Sequence, residues 1–297
     1  MVGWDDKTEP ADVIVSLIAG DGEGTAGPVG RIVVSDDLWA THLIELSRRL
    51  PGVDFVTVAE ALTGVRAIKT GEERDALVHV GSLADQVMAQ IQDRTITLVG
   101  RTEAEVAADI GERLLAAGHD VVQFVIVGSG PNSASPHHHP GDRVIEADEM
   151  VLFDFGGTAA GFNSDTTRCV YTGEIPTDVA RAWRTLMAAQ QAAVDAATAG
   201  ARLCDVDAAA RTVLADAGYG EHFIHRTGHG IGMEVHEQPY VTETNTAEVA
   251  VGHAFSIEPG IYLDGQWGMR LEDIVVIEAD GKARRCNHSN RELISVA

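Results

Sequence analysis

Four carboxylates and one imidazole stand out against the apolar runs that surround them. Asp154 and Asp165 lie eleven residues apart in VLFDFGGTAAGFNSDTTRCV, each in the apolar or β-branched company of a strand. A carboxylate in a core strand is costly unless it is paired or binds a cation. Either Asp alone reads more simply as capped or salt-bridged. A glycine-rich hairpin between them would bring both onto one face of adjacent antiparallel strands, and metal binding then weighs as heavily. Glu258 in FSIEPGIY and Glu272 in GMRLEDIVV, fourteen residues apart, repeat the pattern, with an ion pair to Arg270 or another cation as the alternative. The segment HRTGHGIGMEVHEQPY carries His225, His229 and His236, with Gly228, Gly230 and Gly232 around the middle one. Glycines allow close backbone approach to a bound group, and imidazole is a common metal ligand. A lone histidine is more often structural, and the His-x6-His spacing fits neither helical turn contacts nor the HExxH zinc motif.

Together the set is oxygen-rich, which suits manganese, cobalt or zinc rather than copper or an iron–sulfur centre. Carboxylates that bridge two ions about 3.5–4 Å apart let the pair share and acidify a water, so the constellation implies hydrolysis. Pro136-His137-His138-His139-Pro140 is a further candidate, readable on its residues alone as an adventitious metal site or a polar turn.

The elements that must position these groups are visible in the patterning. Short apolar runs at Val13–Ile18, Ile32–Val34 and Val53–Val58 alternate with helical patterns such as Leu38–Leu50, which reads as a small α/β unit with a boundary near residue 67. Thr70-Gly-Glu-Glu73 is a capping box opening a helix to about Gln92, and Thr102-Glu-Ala-Glu105 opens another that Gly118 should stop. A buried strand is expected at Val121–Val127, then the turn-rich loop GSGPNSASPHHHPGD, then strands Met150–Phe155 and Thr166–Thr172. An Ala-rich helix follows at about 178–198, then one capped by Asp205 and ending at Gly218. Strands near 253–263 and 269–278 close the chain.

The 297 residues, 45% of them hydrophobic, leave room for one large domain and a small one without cross-links. Cys169, Cys204 and Cys286 are an odd number, at spacings that match neither a disulfide framework nor a CxxC zinc site, so a reducing cytoplasm is expected. With 45 acidic against 22 basic residues the net charge is −23, which disfavours nucleic acid and anionic membranes as partners. A two-metal nuclease or phosphatase is the runner-up by chemistry alone, and the same charge disfavours nucleic-acid substrates for it. No apolar stretch approaches the roughly 18 residues of a membrane span, and the acidic N-terminus does not read as a signal peptide.

At these residues, from about Arg66 onward, the sequence resembles the pita-bread metallopeptidases: Xaa-Pro dipeptidases (prolidases), Xaa-Pro aminopeptidases and methionine aminopeptidases. The resemblance implies an α+β, creatinase/aminopeptidase-like catalytic domain at 67–297, preceded by a partial creatinase-type N-terminal α/β domain at 1–66. It implies two divalent metal ions, with manganese first and cobalt or zinc as alternatives. Asp154 would hold one ion, His229 and Glu258 the other, and Asp165 and Glu272 both. His137 would touch the substrate near the scissile nitrogen, His236 would hydrogen-bond the scissile carbonyl, and Glu258 would also relay a proton. Arg270 would brace the ligands or the substrate's carboxyl end.

The interval of fourteen residues between the glutamates resembles prolidases more than methionine aminopeptidases. The implied activity is cleavage before proline in Xaa-Pro dipeptides, with Xaa-Pro aminopeptidase activity on longer peptides as the alternative. A catalytically inactive binding module and a creatinase-like C–N hydrolase stand behind those. A homodimer is also implied. Two departures bear on the substrate. Only about 66 residues precede the capped helix, where relatives carry a larger domain, and Tyr240 stands where some prolidases have an arginine thought to engage the dipeptide carboxylate.

Overall fold

The computed structural model describes residue 5, residues 7–19 and residues 30–296. The chain divides into two compact units, Met1–Val65 and Arg66–Ala297. In the first, helices α1 (Pro10–Ala19), α2 (Ala40–Arg49) and α3 (Val58–Arg66) accompany two parallel strands, β1 (Arg31–Val34) and β2 (Asp54–Thr57). The apolar run at 13–18 is therefore helical. Its spacing, with Ala11 buried and Asp12 bound to Arg49 at 2.7 Å, serves packing of α1 along α2 rather than a strand.

The second unit begins with α4 (Gly71–Gln92) and α5 (Glu103–Ala117). Both open on complete capping boxes, at Thr70/Glu73 and Thr102/Glu105, and α5 stops on Gly118 in left-handed backbone (φ 119°). Then come β3 (Val121–Ser129), β4 (Met150–Ala159), β5 (Phe162–Asn163) and β6 (Thr166–Tyr171), followed by α6 (Thr177–Ala196) and α7 (Leu203–Asp216). Strands β7 (Gly228–Gly230), β8 (Glu237–Val241), β9 (Ala254–Ile257), β10 (Gly260–Leu263), β11 (Trp267–Arg270), β12 (Asp273–Ile277), β13 (Ala283–Arg285) and β14 (Ile294–Ser295) complete it. One sheet runs β14-β6-β4-β3, with β5 on β4, and the other β13-β12-β9-β7-β8, while β10 and β11 pair alone. Asp205 is not a cap: α7 begins at the buried Leu203, and Asp205 sits in the first turn, paired with Arg202 at 2.7 Å.

Two cores account for the layering. Residues of α4 at helical spacing (Ala84, Val87, Met88, Ile91) meet Val106, Ile110 and Leu114 of α5 and Val151, Phe153 and Phe155 of β4. The other parity of β4, Met150 and Leu152, faces a second core with Trp183, Leu186 and Ala189 of α6, Leu203 and Ala210 of α7, and Phe255 and Ile257 of β9. Each fully buried Leu, Ile or Phe in these cores contributes about 1.5–3 kcal/mol. Strand alternation then puts Asp154 on the face of Met150 and Leu152, turned away from α4 and α5.

The expected strands at 253–263 and 269–278 are each broken once. Residues 254–257 pair with 273–276, and 260–263 with 267–270, which leaves Glu258-Pro259 opposite Leu271-Glu272 at an unpaired joint. Pro259 has no N–H for a ladder, and Leu271 N donates to its carbonyl at 3.3 Å instead. Both glutamates thus sit in a gap of the hairpin rather than inside its strands. Among the described residues, no helix is long and apolar enough to cross a membrane.

Candidate active site

A cavity of about 800 Å³ in the second unit is lined by Asp154, Asp165, His229, Glu258 and Glu272 together with His137, His236 and Arg270. Every residue singled out for chemistry in the sequence therefore borders one space, although they come from four separate stretches of chain. Asp154 lies in mid-β4 opposite Thr167 of β6, and Asp165 enters just before that strand. Glu258 and Glu272 face in from the broken hairpin.

His229 is delivered by β7, whose passage between β8 and β9 depends on glycine. A Cβ at Gly228 would collide with the Ser256 carbonyl, and one at Gly230 with the Gln238 carbonyl. The His229 backbone N–H donates to Ser256 Oγ at 2.9 Å, and the same hydroxyl donates to Glu258 Oε1 at 3.1 Å. The ring Nδ1 donates to Gly230 O at 3.0 Å. That bond assigns the proton to Nδ1 and leaves Nε2 as a bare acceptor, 3.6 Å from Asp165 Oδ2 and 3.4 Å from Glu258 Oε1.

Electrostatics mark the cluster as one that needs cations. Burial, reinforced by Glu272, Asp154 and Glu258, raises the Asp165 pKa well above the carboxylate range. Burial, reinforced by Glu258 and Asp154, does the same to Glu272. Burial lifts Glu258 to about 7, with Asp154 adding to it and Arg270 opposing. Burial holds His229 neutral, its pKa lowered to about 3. One donor atom each from Asp165, His229 and Glu272 lie within 4.8 Å of one another. Asp154 Oδ1 and Glu272 Oε1 are buried and have no hydrogen-bond partner. Orphaned carboxylate oxygens beside a neutral imidazole acceptor fit a divalent cation, which would satisfy the lone pairs and offset the charge.

Arg270 borders the cavity but is buried, and its donors are taken up by neighbouring groups. Its Nη2 donates to Asp154 Oδ2 at 2.6 Å, Nε to Thr167 Oγ1 at 3.0 Å, and Nη1 to Tyr262 OH at 2.8 Å and Pro136 O at 3.2 Å. The Tyr262 O–H donates to His225 Nε2 at 2.9 Å, while His225 Nδ1 donates to Arg226 O at 2.7 Å. Burial keeps His225 neutral, with its pKa lowered to about 3. Tyr262 and Thr167 were not singled out in the sequence. Tyr262 follows Glu258 by four residues, but no spacing rule ties it to an arginine eight residues further on.

The two histidines expected to face substrate are the exposed ones. His236 packs edge-on against the His229 ring, centroids 4.2 Å apart at 89°, and burial lowers its pKa, so it is neutral at pH 7. His137 is exposed at the cavity wall. Its neighbour His138 also borders the cavity, with Nε2 donating to Glu103 at 2.7 Å. Glu103, fully buried at the start of α5, also accepts from Ser129 N and Oγ at 2.8 and 2.7 Å and from Asn132 Nδ2 at 3.1 Å. The three consecutive histidines thus divide between one anchor and two rings left at the surface, and Glu103 is the anchor's partner. Glu103 lies within the Thr102-Glu-Ala-Glu105 pattern but is not its capping residue, and that pattern gave no sign of the anchoring role.

The profile of metallopeptidase family M24 matches residues 75–279. The chain is 44% identical over 294 residues to the probable dipeptidase PepE of Mycobacterium tuberculosis, covering 99% of this chain and 76% of that protein. It is 38% identical to the Xaa-Pro dipeptidase of Lactobacillus delbrueckii subsp. lactis, covering 99% of this chain and 79% of that one. The crystal structure of recombinant prolidase from Thermococcus sibiricus superposes with a TM-score of 0.91 at 34% identity, covering 99% of this chain and 79% of that one.

Proposed function

This chain belongs to metallopeptidase family M24, and from that premise we propose that it hydrolyses the peptide bond before proline in Xaa-Pro dipeptides. The observation that carries the reading is the single cavity bordered by Asp154, Asp165, His229, Glu258, Glu272, His137 and His236. The names of the similar proteins, dipeptidase and Xaa-Pro dipeptidase, support the substrate class.

Asp154 would hold one divalent ion, His229 and Glu258 the other, and Asp165 and Glu272 both; we read the ions as manganese because the donors are mostly carboxylate oxygens. When bound, such a pair supplies Lewis acidity that polarises a carbonyl and makes a water nucleophilic near neutral pH. The chain's own groups do the rest. Glu258, at the edge of the cluster, takes a proton and returns it to the departing amine. Neutral His236 offers an N–H to the scissile carbonyl oxygen as charge develops there. His137, also on the cavity wall, would serve the scissile nitrogen. A prolyl nitrogen carries no N–H, so breaking that bond calls for protonation at the nitrogen itself. Arg270, tied to Asp154, Thr167 and Tyr262, fixes the Asp154 carboxylate in place. The three free cysteines support a reducing, cytoplasmic setting.

Hydrolysis of an Xaa-Pro dipeptide compared with an Xaa-Pro-Xaa tripeptide, both with manganese and with a chelator control, tests the proposal. Chelator-sensitive cleavage with the dipeptide preferred is expected. Preference for the tripeptide would make the protein an Xaa-Pro aminopeptidase, and cleavage of neither would overturn the reading.

A further inference from the structure

Two arginines line the cavity, and they differ in what they have left to give. Arg270 is 3% exposed and is engaged by Asp154, Thr167, Tyr262 and the Pro136 carbonyl. Arg226 is exposed, and its guanidinium carbon lies 4.5 Å from the centroid of the Tyr240 ring. Among the described residues, no ion pair or side-chain hydrogen bond engages that guanidinium. The backbone beneath it is fixed from α7. Arg211 Nη2 donates to His225 O at 3.1 Å, and Thr227 N donates to Asp207 Oδ1 at 3.2 Å, one on each side of Arg226. Main chain and aromatic platform therefore hold the side chain without using its N–H groups.

A guanidinium stacked on a ring keeps its planar fork of donors free along the edge, and that fork matches a carboxylate with two parallel hydrogen bonds. The rest of the wall offers an incoming anion little: four carboxylates, the already engaged Arg270, and His225 and His229 held neutral by burial. Beyond the burial that dominates each shift, the Arg226 charge pushes the pKa values of His229, His236 and Glu258 downward, so it stands within electrostatic reach of all three.

We propose that Arg226, seated on Tyr240, is the anchor for the free α-carboxylate of the substrate, the group that separates an Xaa-Pro dipeptide from a longer peptide. This rests on the Xaa-Pro reading of the same site. A dipeptide brings its carboxylate into the cavity, where an unpaired anion is costly. A longer peptide has a neutral amide at that place, which offers the guanidinium one acceptor oxygen and no charge in place of the bidentate ion pair. Tyr240, which occupies the position of an expected arginine, then serves the same recognition indirectly, by supporting an arginine supplied fourteen residues earlier.

The test is the ratio of kcat/KM for an Xaa-Pro dipeptide to that for the same dipeptide as its C-terminal amide, measured on the manganese-loaded protein and on variants. The parent protein should favour the free acid. Arg226→Gln should cut the ratio by roughly tenfold or more, mainly through KM for the acid. Tyr240→Leu should lower it by less, in the same direction. Should Arg226→Gln not fold, Arg226→Lys, which keeps the charge and loses the fork, must still lower the ratio. A ratio within about twofold of the parent in the Arg226 variant overturns the assignment while leaving Xaa-Pro hydrolysis standing. A parent that cleaves neither compound overturns both.

Discussion

In the proposed mechanism most of the chemistry turns on Glu258, which borders the cavity, shares Ser256 Oγ with the His229 backbone and lies 3.4 Å from His229 Nε2. Glu258→Gln keeps the shape and removes the proton-accepting oxygen, so kcat should fall by roughly 10²–10⁴-fold with an unchanged circular dichroism spectrum; an active variant would contradict the role. The metal-stripped protein should also report the cluster through pH. Asp165 and Glu272 have pKa values raised well above the unfolded carboxylates, and Glu258 is raised to about 7. The native state therefore holds protons that the unfolded chain releases near pH 4. The stability these groups contribute is full at low pH and lost as pH rises through their native values. Histidines with lowered pKa, His229 and His225 at about 3 and His253 at about 4, act in the opposite sense, but that contribution is complete once pH exceeds about 6.5. From pH 6.5 to 8 the Tm of the stripped protein should fall, and manganese should abolish the fall; a rising Tm without metal would contradict it. At this scale the five residues proposed as metal ligands were legible as members of one cavity because carboxylates and histidine in apolar company are conspicuous. Tyr262, Thr167, Ser256 and Glu103 were not, because hydroxyls and a first-turn glutamate have ordinary local uses and acquire others only through contacts across the fold.

The elements do their positioning through a few tight places. Strand β7 carries His229 only because Gly228 and Gly230 let it pass neighbouring carbonyls. Gly228→Ala should destabilise the protein by about 3 kcal/mol, the upper part of the range for overpacking against backbone that cannot yield, as read by urea denaturation. An undisturbed midpoint would show that the strands can separate. The capping boxes at Thr70 and Thr102 were readable because their partners lie three residues apart. The break that sets Glu258 against Glu272 was not. It depends on two strand pairs meeting out of step, and apolar runs on either side of a joint look like one strand. For the same reason an apolar run in α1 passed for a strand: six residues are too few to tell a period of 2 from one of 3.6.

For the whole molecule, the α+β pita-bread architecture places helices α4 and α5 behind one face of β4 and helices α6 and α7 against the other, where Asp154 follows Met150 and Leu152 out of that core to the cavity. Part of the net charge of −23 belongs to that cluster and is offset when cations bind. The most direct measurement is metal content and dipeptide hydrolysis followed together as manganese is added back to chelator-stripped protein. Two ions per chain, with Xaa-Pro cleavage appearing as the sites fill, is the result predicted here. Hydrolysis that survives the chelator, or a manganese-saturated protein that cleaves no proline peptide, would contradict it.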